Sequence, residues 1–194
     1  MKVLLVGDKE SAYVWDHFDR KNFAGVECVL SCGDLSAHYL EFIVTMLSVP
    51  LYYVPGNHDK TYDKNPPGGC TCVDGKLTDI GGLSVLGFGG CRAANRDIHQ
   101  YTEGDMRRRV RKTLPSVRRR GFDILLTHAP SFGLGDGKDQ FHQGFECFRE
   151  LLETYKPRYQ IYGHQHKAYG FTPPPEGFGD TRLINACGHR IIDL

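Results

Sequence analysis

Apolar residues along this chain fall into short runs that close on a glycine and an acid or amide. "KVLLVGD", "VECVLSCGD" and "LYYVPGN" have strand length and β-branched or aromatic content, and each ends in Gly followed by Asp or Asn. Between them lie "SAYVWDHFDR" and "AHYLEFIVTML". In the second, Tyr39, Leu40, Ile43, Val44 and Leu47 recur at helical spacing, so the opening is expected to run strand, helix, strand, helix, strand. That alternation predicts parallel strands joined by crossover helices.

The middle changes character. "NPPGGC" is a turn cluster, and "CVDGKLTDI" and "LSVLGFGG" are short strands with no room for a helix between them. After the loop "CRAANRDIHQY", a helix is expected from "TEGDM", capped by Thr102 and running through "RRRVRKTL" to end or bend near Pro115. "FDILLTH" and "RYQIYGH" read as strands, "GFECFRELLETYK" as an amphipathic helix, and "TRLINACGHRIIDL" as two strands about a Gly turn. The expected architecture is α/β, with two sheets faced together and helices outside.

Composition narrows the class. At 194 residues, 40% hydrophobic and 24% charged, the chain fits one globular domain over 1–194. A formal charge of +1 supplies no global field toward nucleic acid or membrane. "MKVLLVGD" is too short for a signal or a span, and Thr45, Ser48 and Pro50 interrupt "EFIVTMLSVPLYYV", so a cytoplasmic protein without a membrane partner is expected. Seven scattered cysteines suggest reduced thiols; Cys28 and Cys32 read as small buried hydrophobes, and Cys70 and Cys72 lack the second pair a structural zinc would want.

Chemistry gathers at the strand ends: Asp8, Asp34, Asn57, His58, Asp59, His128, His164 and His166. Singly, an Asp after a strand is a turn or cap, and a His there is surface or core. The C-terminal ends of parallel strands share one crevice, however, so these residues are expected to converge. Carboxylate, amide oxygen and imidazole together suit Mn, Fe or Zn.

The ordered series "GD", "GNHD", "THAP" and "GHQH" resembles the calcineurin-like metallophosphoesterase superfamily, over nearly the whole chain and most like its small single-domain members. The resemblance implies a four-layer αββα sandwich, two mixed β-sheets flanked by helices. It further implies hydrolysis of small phosphate-ester substrates by a hydroxide held at two divalent ions, Mn first, with Fe, Zn or mixed pairs compatible. One ion would be held by Asp8, Asp34 and His166, the other by Asp34, Asn57, His128 and His164. His58 would serve the leaving oxygen, and Asp59 would orient its imidazole. Two divalent ions about 3.5–4 Å apart can acidify a shared water and clamp the phosphoryl oxygens, and a carboxylate such as Asp34 can bridge them.

One position departs from that pattern. The first motif is usually Asp, any residue, His, whereas "DKE" places Glu10 where the histidine would stand. Glu10 is expected to replace it as an oxygen ligand to the first metal. Asp8, Asp34 and Glu10 would then cancel about three of four positive charges, which favours phosphodiesters over monoester dianions. Two other readings compete: Glu10 caps locally or pairs with Lys9, leaving a weak first metal site, or the site has decayed toward an interaction scaffold.

Outside this set, Arg92, Asn95 and His142 are candidate substrate contacts on loops, and His189 is similarly placed. The eight basic residues of "RRRVRKTLPSVRRR" read as the solvated face of a helix, because Met106, Val110, Leu114 and Val117 recur near helical spacing. A nucleic-acid partner is the sharper alternative there and is not favoured. No phosphate-binding "GxxxxGK" loop, dinucleotide fingerprint or serine elbow occurs.

Overall fold

In the computed structural model, which describes residues 1–93, 97–139, 142–166 and 175–194, the first strand β1 (Lys2–Gly7) is buried on both faces. Val3 and Leu5 point into a core shared with Leu30, Leu126 and Ile161, whereas Leu4 and Val6 pack beneath α1 (Ala37–Leu47) against Tyr39 and Leu40. This double burial explains why the strand reads as one continuous apolar run.

Strands β2 (Cys28–Ser31), β3 (Leu51–Tyr53) and β4 (Cys70–Cys72) extend β1 in parallel. The second sheet contains β5 (Leu77–Ile80), β6 (Leu83–Phe88), β9 (Ile124–Thr127), β10 (Tyr159–Tyr162), β11 (Gly177–Phe178) and β12 (Thr181–Asn185). Its order is β11-β12-β10-β9-β6-β5, and β6, β9, β10 and β12 run parallel. A small parallel ribbon, β7 (Cys91–Arg92) with β8 (Gln100–Tyr101), occupies what reads in sequence as a plain loop.

The tail's two strands do not pair with each other. β12 closes onto β10, whereas β13 (Gly188–Asp193) crosses to the first sheet and runs antiparallel to β1. "CVDGKLTDI" divides in the same way, β4 in one sheet and β5 in the other. Helices α2 (Glu103–Arg120) and α3 (Glu146–Tyr155) cover the outer face of the second sheet through Met106, Val110, Phe148 and Leu151. With α1 over the first sheet, the layers are helix, sheet, sheet, helix.

Two helix expectations need correction. "SAYVWDHFDR" forms turns and a short 3₁₀ helix at Arg20–Phe23 instead of a crossover helix. Two of its aromatic rings are committed to α1: Trp15 stacks on Tyr39 at 5.3 Å, and Phe18 meets Phe42 edge-on at 5.6 Å. That packing outweighs the weak helix preference of aromatic residues. Second, α2 continues through Pro115 to Arg120. Pro115 and Arg111 are both exposed, so the carbonyl that loses its N–H partner faces water. The Thr102 cap is as expected, in a capping box with Asp105. No helix among the described residues is long and apolar enough to cross a membrane.

Candidate metal centre

The parallel strands of both sheets end at one edge, and three residues there adopt left-handed backbone without being glycine: Asp8 (φ 59°), Asp34 (φ 55°) and His164 (φ 66°). Such conformations cost free energy for a side chain, and they recur where geometry serves a site. Of the three other left-handed non-glycines among the described residues, Ser48 and Lys156 are helix C-caps with an ordinary reason to turn, and His99 lies in the turn before β8.

Asp8 follows β1. Its N–H donates to the Gly33 carbonyl at 2.9 Å, and its Oδ1 accepts from the His164 N–H at 2.6 Å. Its Oδ2 is buried with no hydrogen-bond partner. Burial, partly offset by His128, raises its pKa. Gly163 passes so close that a Cβ there would lie 2.5 Å from that Oδ2.

Asp34 follows β2 and is held from several sides. Its Oδ1 accepts the His58 backbone N–H at 2.7 Å, and its Oδ2 lies 3.4 Å from His128 Nε2. Burial alone would raise its pKa, but the attraction and hydrogen bonding of His128 outweigh that and lower it to about 2. Gly33 and Gly56 touch here; a Cβ on Gly33 would overlap the Gly56 backbone, so the two loops can approach only as glycines.

His128, after β9, is fully buried. Its Nδ1 lies 2.7 Å from the Cys32 carbonyl oxygen, which can only accept, so the proton is fixed on Nδ1 and Nε2 is turned toward Asp34 and toward Asn57 Oδ1 at 3.0 Å. Burial opposes charge on this ring, but Asp34 and Asp8 override it and raise its pKa to about 9. His164 packs beside it, ring centroids 4.9 Å apart. Ligand atoms of Asp34, His128 and His164 lie within 4.8 Å of one another. A buried carboxylate oxygen without a partner, facing imidazoles and a second carboxylate, fits a divalent cation.

The remaining expected residues are distributed around this cluster. His58 stands at the mouth, 79% exposed, its Nε2 3.9 Å from Asp34 Oδ2. Asp59 turns its Oδ2 to backbone instead, accepting from the N–H groups of Gly56 at 2.7 Å and Asp34 at 2.8 Å and clamping the two loops together. Glu10 lies outside the cluster, its Oε1 accepting from Ser36 N at 3.2 Å and Ser36 Oγ at 2.5 Å at the N-cap of α1. His166 has its Nδ1 3.8 Å from Cys187 Sγ.

Among the substrate candidates, Arg92 donates to the Gly144 carbonyl at 3.3 Å. His142 Nδ1 is 2.9 Å from the Asp139 carboxylate, with its ring centroid 5.3 Å from that of His164. Asn95 lies outside the described residues. Sequence reasoning missed Cys187 as a neighbour of His166, and Gln165, whose Nε2 donates to the His142 carbonyl at 2.7 Å and ties His142 to the cluster. Their adjacency to "NACG" and "GHQH" was the available signal.

Solved structures share this fold at low sequence identity. Residues covering 96% of the chain superpose on 89% of TT1561 of Thermus thermophilus, with TM-score 0.62 and 16% identity. For the calcineurin-like phosphoesterase YfkN from Bacillus subtilis the coverage is 95% and 80%, with TM-score 0.52 and 14% identity. Two curated Caenorhabditis elegans proteins match in sequence: UPF0046 protein T07D4.2, 41% identical over 71 residues, and UPF0046 protein C25E10.12, 38% identical over 78. These matches take in 34% and 36% of this chain but only 16% and 26% of the relatives. A sequence model of the calcineurin-like phosphoesterase family matches residues 2–168, and the chain belongs to that family.

Proposed function

We propose that this chain hydrolyses phosphate esters with divalent metal held by Asp8, Asp34, Asn57, His128, His164 and His166. The observation that carries the reading is the convergence of Asp34, His128 and His164 within 4.8 Å, beside an Asp8 oxygen that is buried without a partner. Following the family pattern, Asp8, Asp34 and His166 would hold one ion, and Asp34, Asn57, His128 and His164 would hold the other. Bound divalent ions supply acidified water and positive charge toward the phosphoryl oxygens, and Mn suits this donor set.

The chain's own residues do the rest. His128 keeps its proton on Nδ1 against Cys32, so Nε2, turned toward Asp34 and Asn57, is the nitrogen that would ligate. His58 holds a proton at the mouth for the departing oxygen, and the bond from its N–H to Asp34 fixes where that imidazole starts. The charge argument for diesters requires Glu10 at the metals, and its seat on Ser36 does not support that count. The proposed substrate class is therefore phosphate esters without restriction to diesters.

The test is hydrolysis of a chromogenic phosphodiester and the matching monoester with Mn, for wild type and His58→Ala. Turnover that falls by about 10²–10⁴ in His58→Ala, with metal content unchanged, is expected. Equal turnover in the two proteins, or none in wild type with either ester, would contradict the reading.

A further inference from the structure

Helix α2 carries a block of charge of which the fold uses only part. Three of its eight cations are committed. Arg107 spans both oxygens of Glu150 at 2.5 and 2.7 Å, Arg108 pairs with Asp105, and Arg109 turns inward onto Asp74 and over the Tyr101 ring at 4.4 Å. The other five, Arg111, Lys112, Arg118, Arg119 and Arg120, are exposed and make no hydrogen bond or ion pair among the described residues.

The helix dipole accounts in part for Arg118–Arg120 in the last turn, but Arg111 and Lys112 stand mid-helix. The charge is also segregated. With eight basic and two acidic residues, α2 nets +6, and the rest of the chain, 16 basic against 21 acidic, nets −5.

We propose that this face of α2 binds the phosphodiester backbone of a nucleic acid. Arg111 and Arg118 form one stripe and Lys112 and Arg119 the next, each pair seven residues and roughly 10 Å apart along the axis. From Arg111 to Arg120 the helix runs about 14 Å, a length that faces about four phosphates of one strand. Arg107, Arg111 and Arg118 also rim a recess of about 330 Å³ against α3, where Glu150 offsets part of their charge. Four of the five free cations are arginine, whose planar fork matches phosphate oxygens.

The exposed positions of α2 are Gly104, Arg108, Arg111, Lys112, Pro115, Ser116 and Arg118–Arg120. They offer no large apolar side chain to insert into a membrane or to anchor a protein partner. β9 begins at Ile124 and runs toward His128, so the basic end of α2 lies at the far end of that strand from the metal centre. The surface is therefore separate from the proposed site of hydrolysis.

The test is fluorescence anisotropy of a labelled single-stranded RNA of about 20 nucleotides in about 50 mM salt. EDTA is present, so the reading does not depend on ester hydrolysis. The variant Arg111→Glu/Lys112→Glu/Arg118→Glu is compared with Lys21→Glu/Lys64→Glu/Arg182→Glu, which alters exposed residues elsewhere and lowers the net charge equally. Wild type binds, and the α2 variant weakens by about tenfold or more, with the salt slope reduced by about two for three lost contacts. The control stays within about threefold of wild type. If the α2 variant does not fold, Arg111→Gln/Lys112→Gln/Arg118→Gln is read the same way. Absence of wild-type binding, equal loss in both variants, or retention on anionic vesicles but not RNA would each overturn the proposal.

Discussion

The backbone N–H of His164 donates to the Asp8 carboxylate at 2.6 Å, joining the end of β10 in one sheet to the end of β1 in the other across 156 residues of sequence. The amide bonds Oδ1, and Oδ2 is buried without a hydrogen-bond partner. The proposed metal centre is thus also a seam between the sheets, and changes in the seam should be read in metal binding.

Gly163→Ala tests the seam. The new Cβ would lie 2.5 Å from Asp8 Oδ2, so either the carboxylate or the strand must move. Overpacking of this kind costs about 1–3 kcal/mol. Mn affinity by isothermal titration should fall by about 10–100-fold, as for other changes that misplace a ligand. Unchanged affinity would show that Asp8 is not one.

His58 and Asp59 are neighbours with separable roles. Asp59→Ala strands two buried N–H groups, at Gly56 and Asp34, and should cost about 2–6 kcal/mol in a denaturant titration. His58→Ala removes an exposed ring and should change stability by less than about 0.5 kcal/mol while abolishing most turnover. A stable Asp59→Ala protein with a slowed reaction would instead return Asp59 to the role of orienting His58.

Glu10 decides between ligand and cap. With Oε1 on both Ser36 groups, Glu10→Ala should loosen the start of α1 by about 0.5–1.5 kcal/mol and leave bound metal per chain unchanged. Loss of one ion per chain would make Glu10 a ligand and revive the charge argument for diesters.

Thiol chemistry should follow burial. Burial is the leading cause that pushes Cys28 and Cys70 up to about 11 and Cys91 to about 12. Thiolate is the reactive form, so at about pH 8 iodoacetamide should label these three slowly in the folded chain, faster as pH rises, and quickly in denaturant. Rapid labelling of Cys91 in the native protein at that pH would contradict the packing described.

The residues proposed to build the centre were legible because each is a local signal: a strand closing on Gly-Asp, "GNHD", or a His after an apolar run, brought together by parallel topology. What could not be read was where long-range contacts take a side chain. Glu10 is seated by a serine 26 residues away, and Asp59 by amides of two loops. The failed first crossover helix has the same origin, since Trp15 and Phe18 are claimed by rings on α1. Whether β12 and β13 pair with each other or part to different sheets is likewise set by β10 and β1, not by the turn between them.

The most direct test of the account is metal stoichiometry of the purified chain after equilibration with Mn, beside Asp34→Asn. Asp34 is the ligand proposed to be shared by both sets, so wild type should hold about two ions and Asp34→Asn should lose both or nearly so, with its fold retained by circular dichroism. Wild type without bound metal, or Asp34→Asn with its full complement, would contradict the claim that these strand ends form a metal centre.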